Sequence, residues 1–180
     1  MKQKSIYKYA AEAGVPMGIY LSLMAACVLL SLKAPFLPML ITPLAIGFPA
    51  ILWMLMRRIG AMQPTYMKVS SLWLAGIYTV IFGTLICMLL SGLYVVFIEP
   101  GFVVKYFETI ISQVEASEFA AYYADTVALM RNAIDSHIVP SGMEFVTAMG
   151  WFTCFAGSIL SLIIAFIMGK MVRKPSQISS

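Results

Sequence analysis

The side chains that could perform chemistry are few in this sequence, and they do not converge. His137 is the only histidine, and no second histidine or cysteine lies near it, whereas a zinc site needs three or four ligands. Cys27, Cys87 and Cys154 each lie inside an apolar stretch, without metal-ligand spacing. The sequence therefore predicts no metal site and no cofactor.

The acidic residues give no better case for catalysis. Seven of the eight follow residue 98, and no nucleophile stands beside a base. Glu144 has a structural explanation, because Ser141-Gly142-Met143-Glu144 is a capping box in which the carboxylate reaches back to the Ser141 amide. We therefore expect a protein that is not an enzyme and has no catalytic residues.

Four long apolar runs, over residues 15–32, 36–56, 69–98 and 145–169, contain none of the charged residues. The chain is 61% hydrophobic and 11% charged, whereas soluble domains carry about 25% charged residues. A helix of about 20 residues crosses the hydrocarbon core, and unbroken runs do not suit barrel strands. The predicted fold class is all-α integral membrane, with four transmembrane helices at about 14–33, 36–56, 69–98 and 143–169 in a single domain, residues 1–180.

The basic residues are distributed unequally between the two ends of this predicted bundle. Nine flank the end that carries both termini: Lys2, Lys4, Lys8, Arg57, Arg58, Lys68, Lys170, Arg173 and Lys174. Only Lys33, Lys105 and Arg131 flank the other end. Because Lys and Arg are retained on the cytoplasmic side, we predict that both termini are cytoplasmic. Basic residues at the ends of apolar runs, instead of along one face, also argue against a nucleic-acid partner.

Residues 100–140 form the one substantial segment predicted outside the membrane. Apolar residues recur there at three- and four-residue steps in two stretches, which predicts an extracytoplasmic amphipathic helical hairpin between helices 3 and 4. Pro100-Gly101 would open its first helix and Ser117 would cap its second. Its aromatic residues are Tyr106, Phe107, Phe119, Tyr122 and Tyr123. Because tyrosines collect at membrane interfaces, we expect this cluster to pack at the interface. The alternative is that the cluster is an outer interaction surface.

Small residues recur at every fourth position in helices 1, 3 and 4. In lipid, such faces allow the close backbone approach through which helices associate. We predict that these residues pack helices: Gly14, Gly18, Ser22, Thr79, Gly83, Ser91, Gly157, Ser161 and Ala165. Packing within one chain is favoured, and packing between two chains is the alternative. The second run carries three prolines, which predict a kinked helix.

Three segments carry a resemblance to a known family: Ala10-Ala11-Glu12-Ala13-Gly14-Val15-Pro16-Met17-Gly18, Pro100-Gly101-Phe102 with its amphipathic continuation, and Gly169-Lys170-Met171-Val172-Arg173-Lys174. With them the chain resembles the bacterial membrane-protein family catalogued as domain of unknown function 4199. The resemblance covers nearly the whole chain and implies a four-helix layout in a Gram-negative inner membrane. It brings no activity and no functional residues.

Two functions remain open from the sequence. The first is a non-enzymatic multi-pass inner-membrane protein acting as an accessory or scaffold subunit, with the lipid bilayer and a membrane-protein partner or a second copy as partners. The alternative is a small transporter or channel for a neutral or lipid-like solute, working as a homodimer. A cavity lined by Thr42, Thr79, Thr84 and Ser91 would favour the alternative. The charge-free apolar runs count against ion-coupled transport.

Overall fold

The computed structural model of the chain describes residues 6–34, 36–62 and 68–172. These residues form six α-helices and no strand: α1 (Ile6–Leu29), α2 (Pro38–Ala61), α3 (Val69–Leu93), α4 (Phe102–Glu115), α5 (Ala124–Asp135) and α6 (Gly142–Val172). A π-helical turn, Tyr94–Ile98, continues α3. The predicted all-α fold is confirmed.

Four helical segments of the described chain are long and apolar enough to cross a membrane: Tyr7–Leu29, Pro38–Ala61, Val69–Ile98 and Gly142–Gly169. α1 includes residues from Ile6 onward, whereas the predicted helix began at about residue 14. The prediction followed the apolar run, but a helix can also include the more polar residues that precede it. The second begins at Pro38, and the first helical turn is where proline is tolerated, because its missing N–H has no helical partner there.

α3 is the central helix, and α1 and α6 both pack along it. The α1–α3 contact is close enough to exclude side chains at two glycines. A methyl group at Gly14 would lie 2.5 Å from Phe82 Cβ, and one at Gly83 would lie 3.1 Å from the Gly18 backbone nitrogen. The two backbones therefore approach through residues that have no side chain.

The α3–α6 contact is also formed at glycines that leave no room for a side chain. A methyl group at Gly157 would lie 2.6 Å from Val80, and one at Gly76 would lie 2.7 Å from the Ser161 hydroxyl. Among the nine residues predicted to pack helices, eight are buried in the structure and Ser22 is half-buried. Gly14 and Gly18 contact α3, Gly83 contacts α1 and Gly157 contacts α3.

α2 is packed into the bundle along only part of its length. Leu52, Leu55, Met56 and Ile59, all in its second half, are buried. In the first half, up to Ala50, the side chains are exposed or half-buried. One polar contact ties this half to α1, because the Tyr20 hydroxyl donates to the Leu44 carbonyl.

We expect Gly83→Leu to lower the thermal unfolding midpoint of the protein in detergent. Its side chain would occupy the space in which α1 and α3 meet, and overpacking of this kind typically costs about 1–3 kcal/mol. Gly60→Leu is the matched control, because nothing lies within 4 Å of a methyl group at Gly60. Equal midpoints for the two variants would contradict the close α1–α3 contact.

Candidate functional site

The hairpin of α4 and α5 is attached to one end of the bundle through the start of α4. Gly101 precedes this helix with φ +85°, a left-handed conformation that glycine adopts without strain. The next residues, Phe102 and Val103, are buried against Leu29 of α1 and Val146 of α6. We refer to this end of the bundle as the hairpin end.

A buried carboxylate fixes the same junction by charge. The side chain of Glu99 is only 10% exposed, and it accepts a hydrogen bond from the Tyr94 hydroxyl at 2.8 Å. The ammonium groups of Lys33 and Lys105 each lie 3.5 Å from its oxygens. These four residues, which we call the Glu99 clamp, join the α1–α2 loop, the π turn and α4.

The Glu99 carboxylate and the Lys33 ammonium keep their charges at neutral pH. The Tyr94 hydrogen bond, followed by the two lysines, lowers the pKa of the Glu99 carboxyl, although burial opposes this shift. The pKa of Lys33 is raised by its hydrogen bond to Tyr94 and by the Glu99 charge. The Glu99 carboxylate and the Lys33 ammonium, held in this way, stabilise the junction and are poorly suited to exchange protons near pH 7.

The sequence alone does not predict the Glu99 clamp, because Glu99 is one of seven acidic residues that follow the third apolar run. A carboxylate placed directly after a long apolar run, with a tyrosine five residues earlier, was the available local signal. The two lysines are 6 and 66 residues away in sequence, so no local pattern indicated that they would meet there.

The second hairpin helix is shorter than predicted. The sequence placed its cap at Ser117, but α5 begins at Ala124 and residues 118–123 form turns. The Ser117 hydroxyl donates to the Val114 carbonyl at 2.7 Å and accepts from the Phe119 amide at 3.3 Å. These short-range bonds close the turn that ends α4 instead of starting a new helix.

α5 is held to α4 by one ion pair and a small apolar contact. The Arg131 guanidinium donates to both oxygens of Glu115, at 2.7 and 2.8 Å. Ile111 of α4 and Val127 of α5 are buried. The bundle itself is contacted mainly by α4, so one face of α5 stays uncovered.

The structure divides the predicted aromatic cluster into two groups. Tyr106 and Phe107 pack against the buried residues at the hairpin end. Phe119, Tyr122 and Tyr123 are exposed instead, and Tyr122 is 82% exposed. Leu129, which is 70% exposed, adds a further apolar side chain. We use the name α5 face for Phe119, Tyr122 and Tyr123, in the turns before α5, together with Leu129 of α5.

A narrow cleft of about 200 Å³ lies between α1, α3 and α6, below the hairpin end. Thr84 and Ser91 line it, as the transporter hypothesis required. The other two residues of that hypothesis lie elsewhere: Thr79 is buried and donates to the Ala75 carbonyl at 2.9 Å, and Thr42 is exposed on α2. Two of the four residues predicted to line a cavity therefore line the cleft.

The candidate metal ligands are also dispersed. Within the described chain, no three His, Cys, Asp or Glu residues are placed to hold a metal ion. His137 is exposed after α5, and its ring Nδ1 lies 3.1 Å from the Asp135 carbonyl oxygen. The three cysteines are unpaired and lie on three different helices.

Four helices of spanning length, together with a hairpin between the third and the fourth, define a multi-pass α-helical membrane protein. The chain belongs to the family described as protein of unknown function (DUF4199), whose model matches residues 12–170. This match confirms the resemblance seen in the sequence. Comparisons with curated proteins and with solved structures gave no match.

We expect Glu99→Gln to destabilise the protein at pH 7 and to flatten its dependence on pH. Because the folded pKa of Glu99 is lowered, its contribution to stability is fully present above the unfolded value of about 4.3 and is lost as the pH falls through the folded pKa. Thermal unfolding in detergent between pH 7 and pH 3 measures this. The gap between the wild-type and E99Q midpoints should narrow on acidification.

Glu118→Gln is the control for this experiment, since Glu118 is exposed on the same hairpin. It should unfold as the wild type does across the whole range. A gap between wild type and E99Q that stays constant down to pH 3 would show that the Glu99 charge does not hold the junction.

Proposed function

We propose that the protein is a non-enzymatic accessory or scaffold subunit of a bacterial inner-membrane assembly, with both termini in the cytoplasm. The excess of basic residues at the end opposite the hairpin supports this orientation. Lys8, Arg57, Arg58 and Lys68 belong to the helix ends at that side of the bundle, and Lys2, Lys4, Arg173 and Lys174 lie outside the described residues. Lys33, Lys105 and Arg131 lie at the hairpin end.

The uncovered α5 face is the observation that carries the scaffold role. The small-residue faces of α1, α3 and α6 are occupied by contacts within the chain, so a partner would have to contact other surfaces. The α5 face presents exposed aromatic and aliphatic side chains outside the four spans. An apolar group of this kind with a polar rim is typical of an interaction surface.

Charge around this face indicates what kind of partner would fit. Residues 99–140 carry six acidic and two basic side chains, a net charge of −4. Asp125 is exposed on α5 itself, three residues after Tyr122. An anionic lipid surface would be repelled, whereas a basic segment with apolar side chains would be attracted. We therefore propose a membrane-protein partner whose extracytoplasmic part is basic.

The cleft supports a second candidate function, the handling of a lipid-like solute. A channel is less well supported, because the part of the bundle away from the hairpin is filled by a continuous apolar cluster. Met17, Leu52, Met56, Val80 and Ile164, from four helices, meet in this cluster. A solute would therefore have to enter the cleft from the side, through the bilayer.

A photo-crosslinking amino acid at Leu129 should give one discrete cross-linked product in intact cells, and one at Gln113 should not. Gln113 is an exposed polar residue of α4 and serves as the matched position on the same hairpin. Asp125→Lys should weaken the Leu129 product several-fold, because it reverses a charge that would attract the basic partner. Cross-links from Leu129 only to lipid, or none, would contradict the scaffold proposal.

The orientation has a separate test. In a variant whose three cysteines are replaced by alanine, a membrane-impermeant thiol reagent should label Glu118→Cys in intact cells. Lys68→Cys should be labelled only after the membrane is opened, because Lys68 lies at the cytoplasmic end of α3 in this orientation. The reverse pattern would place the termini on the other side.

A further inference from the structure

The Glu99 clamp lies at the level of the membrane surface. Lys33 is in the loop that joins the first two spans, and Glu99 directly follows the third span, which ends at Ile98. Residues that follow or connect spans at one end of a bundle lie where the hydrocarbon core gives way to the lipid head groups. Lipid head groups therefore surround this part of the protein.

The clamp contains more positive than negative charge. The ammonium groups of Lys33 and Lys105 share one carboxylate, and each lies 3.5 Å from it. Glu99 is buried, whereas the side chain of each lysine is 57% exposed. An ammonium group has three N–H donors, and Glu99 does not occupy all of them. Each lysine can therefore donate to a further acceptor on its exposed side.

An open depression of about 440 Å³ adjoins the clamp, between the α1–α2 loop and α4. Both lysines line it, together with Thr109 and Ser112 of α4. The hydroxyls of Thr109 and Ser112 already donate to carbonyls of their own helix, so the available donors of the lining are the two ammonium groups. Phosphate oxygens are strong acceptors for ammonium groups, and phosphate is the anionic group that phospholipids place at this level.

The part of the depression along α4 also contains an acidic group. Glu108, three residues after Lys105 on the same side of α4, is exposed and lines the depression. None of the ion pairs of the described chain includes it. Glu108 also lines a second depression, of about 210 Å³, with Glu115, Asp135 and Arg131. Because Arg131 is already bonded to Glu115, the field around Glu108 attracts a cation.

This order of charges discriminates between phospholipid head groups. Phosphatidylglycerol has no cation for Glu108, and its net negative charge is repelled by residues 99–140, whose net charge is −4. The trimethylammonium group of phosphatidylcholine has no N–H to donate. Phosphatidylethanolamine carries both a phosphate and a primary ammonium, which forms charge-assisted hydrogen bonds with a carboxylate.

We propose that the depression binds the head group of phosphatidylethanolamine. Lys33 and Lys105 donate to its phosphate, Glu108 accepts from its ammonium, and the acyl chains stay in the bilayer. The site does not depend on the scaffold role or on the orientation of the protein, because the clamp lies at a membrane surface in either orientation. Failure of the α5 cross-linking test leaves it unaffected.

The test measures phospholipid binding to the purified full-length protein in detergent by native mass spectrometry. Dioleoyl phosphatidylethanolamine, phosphatidylcholine and phosphatidylglycerol are supplied together in equal amounts, so that only the head group differs. Wild-type protein should retain phosphatidylethanolamine about two- to fivefold more than either competitor, the effect of one exposed ion pair. Glu108→Gln should retain phosphatidylethanolamine and phosphatidylcholine equally, because it lacks the carboxylate that recognises the primary ammonium.

Two further variants separate the carboxylate from the lysines. Glu118→Gln changes an exposed carboxylate of the same hairpin that lies outside the lining, and it should keep the wild-type preference. Lys105→Gln should reduce retention of all three lipids about two- to fivefold, because they share the phosphate. Lys105 also contacts Glu99, so thermal unfolding checks that this variant is folded. If it is not, Glu108→Gln and Glu118→Gln decide the test.

Four results would overturn the proposal. The first is wild-type protein that retains phosphatidylcholine or phosphatidylglycerol as well as phosphatidylethanolamine. The second is a Glu108→Gln protein that still prefers phosphatidylethanolamine, which would place recognition of the ammonium elsewhere. The third is a folded Lys105→Gln protein that retains all three lipids as the wild type does. The fourth is displacement of the lipid by an equal concentration of water-soluble glycerophosphoethanolamine, which would identify the ligand as a free head group.

Discussion

The close approach of α1 to α3 is the contact on which the rest of this bundle depends. Lipid tails are as apolar as the helix surfaces, so burial of apolar area gives little drive for helices to associate in a bilayer. The association of the helices therefore depends on dispersion attraction between closely spaced atoms, and this attraction falls steeply with distance. Gly14 and Gly83 bring the two backbones together, and Gly157 allows α6 to pack on α3 at Val80.

This arrangement leaves α2 without a comparable surface, and the cleft follows from that. With α1 and α6 both packed on α3, a groove remains between them, and large side chains of α2 fill it over half of its length. The first half of α2 contains Pro43 and Pro49, which cannot donate backbone hydrogen bonds, and no small-residue stripe. It stays mostly at the surface, so part of the groove between α1, α3 and α6 is left as a cavity.

At the hairpin end, electrostatic and apolar contacts act on the same junction. The Glu99 clamp holds three segments together, and Phe102 and Val103 bury the start of α4 beside it. α4 is thereby fixed on the bundle, whereas α5 is attached to α4 by the Arg131–Glu115 pair and a limited apolar contact. A firmly held inner helix that presents an outer helix with an uncovered face is consistent with the proposed binding of a partner on this side.

How much could be predicted from the sequence depends on whether a feature is local. The four spans, the hairpin between the third and fourth, and the capping box are local features. Each depends on the polarity of one continuous segment or on residues that are neighbours in sequence. In the structure the Ser141 amide does donate to Glu144, at 2.8 Å. The exception is the start of α5, where the Ser117 turn competes with the helix that the apolar pattern predicted.

Tertiary structure alone decided which distant residues meet. Lys33 and Lys105 converge on Glu99 only because the α1–α2 loop and α4 arrive at the same end of α3. Likewise, Thr79 and Thr84 both lie on α3, yet the hydroxyl of Thr79 donates to its own helix and that of Thr84 has no hydrogen-bond partner. Sequence determines which segments enter the membrane, since that depends on each segment's own polarity. The sites depend on how the helices pack, and packing is set by short-range contacts between residues far apart in the chain.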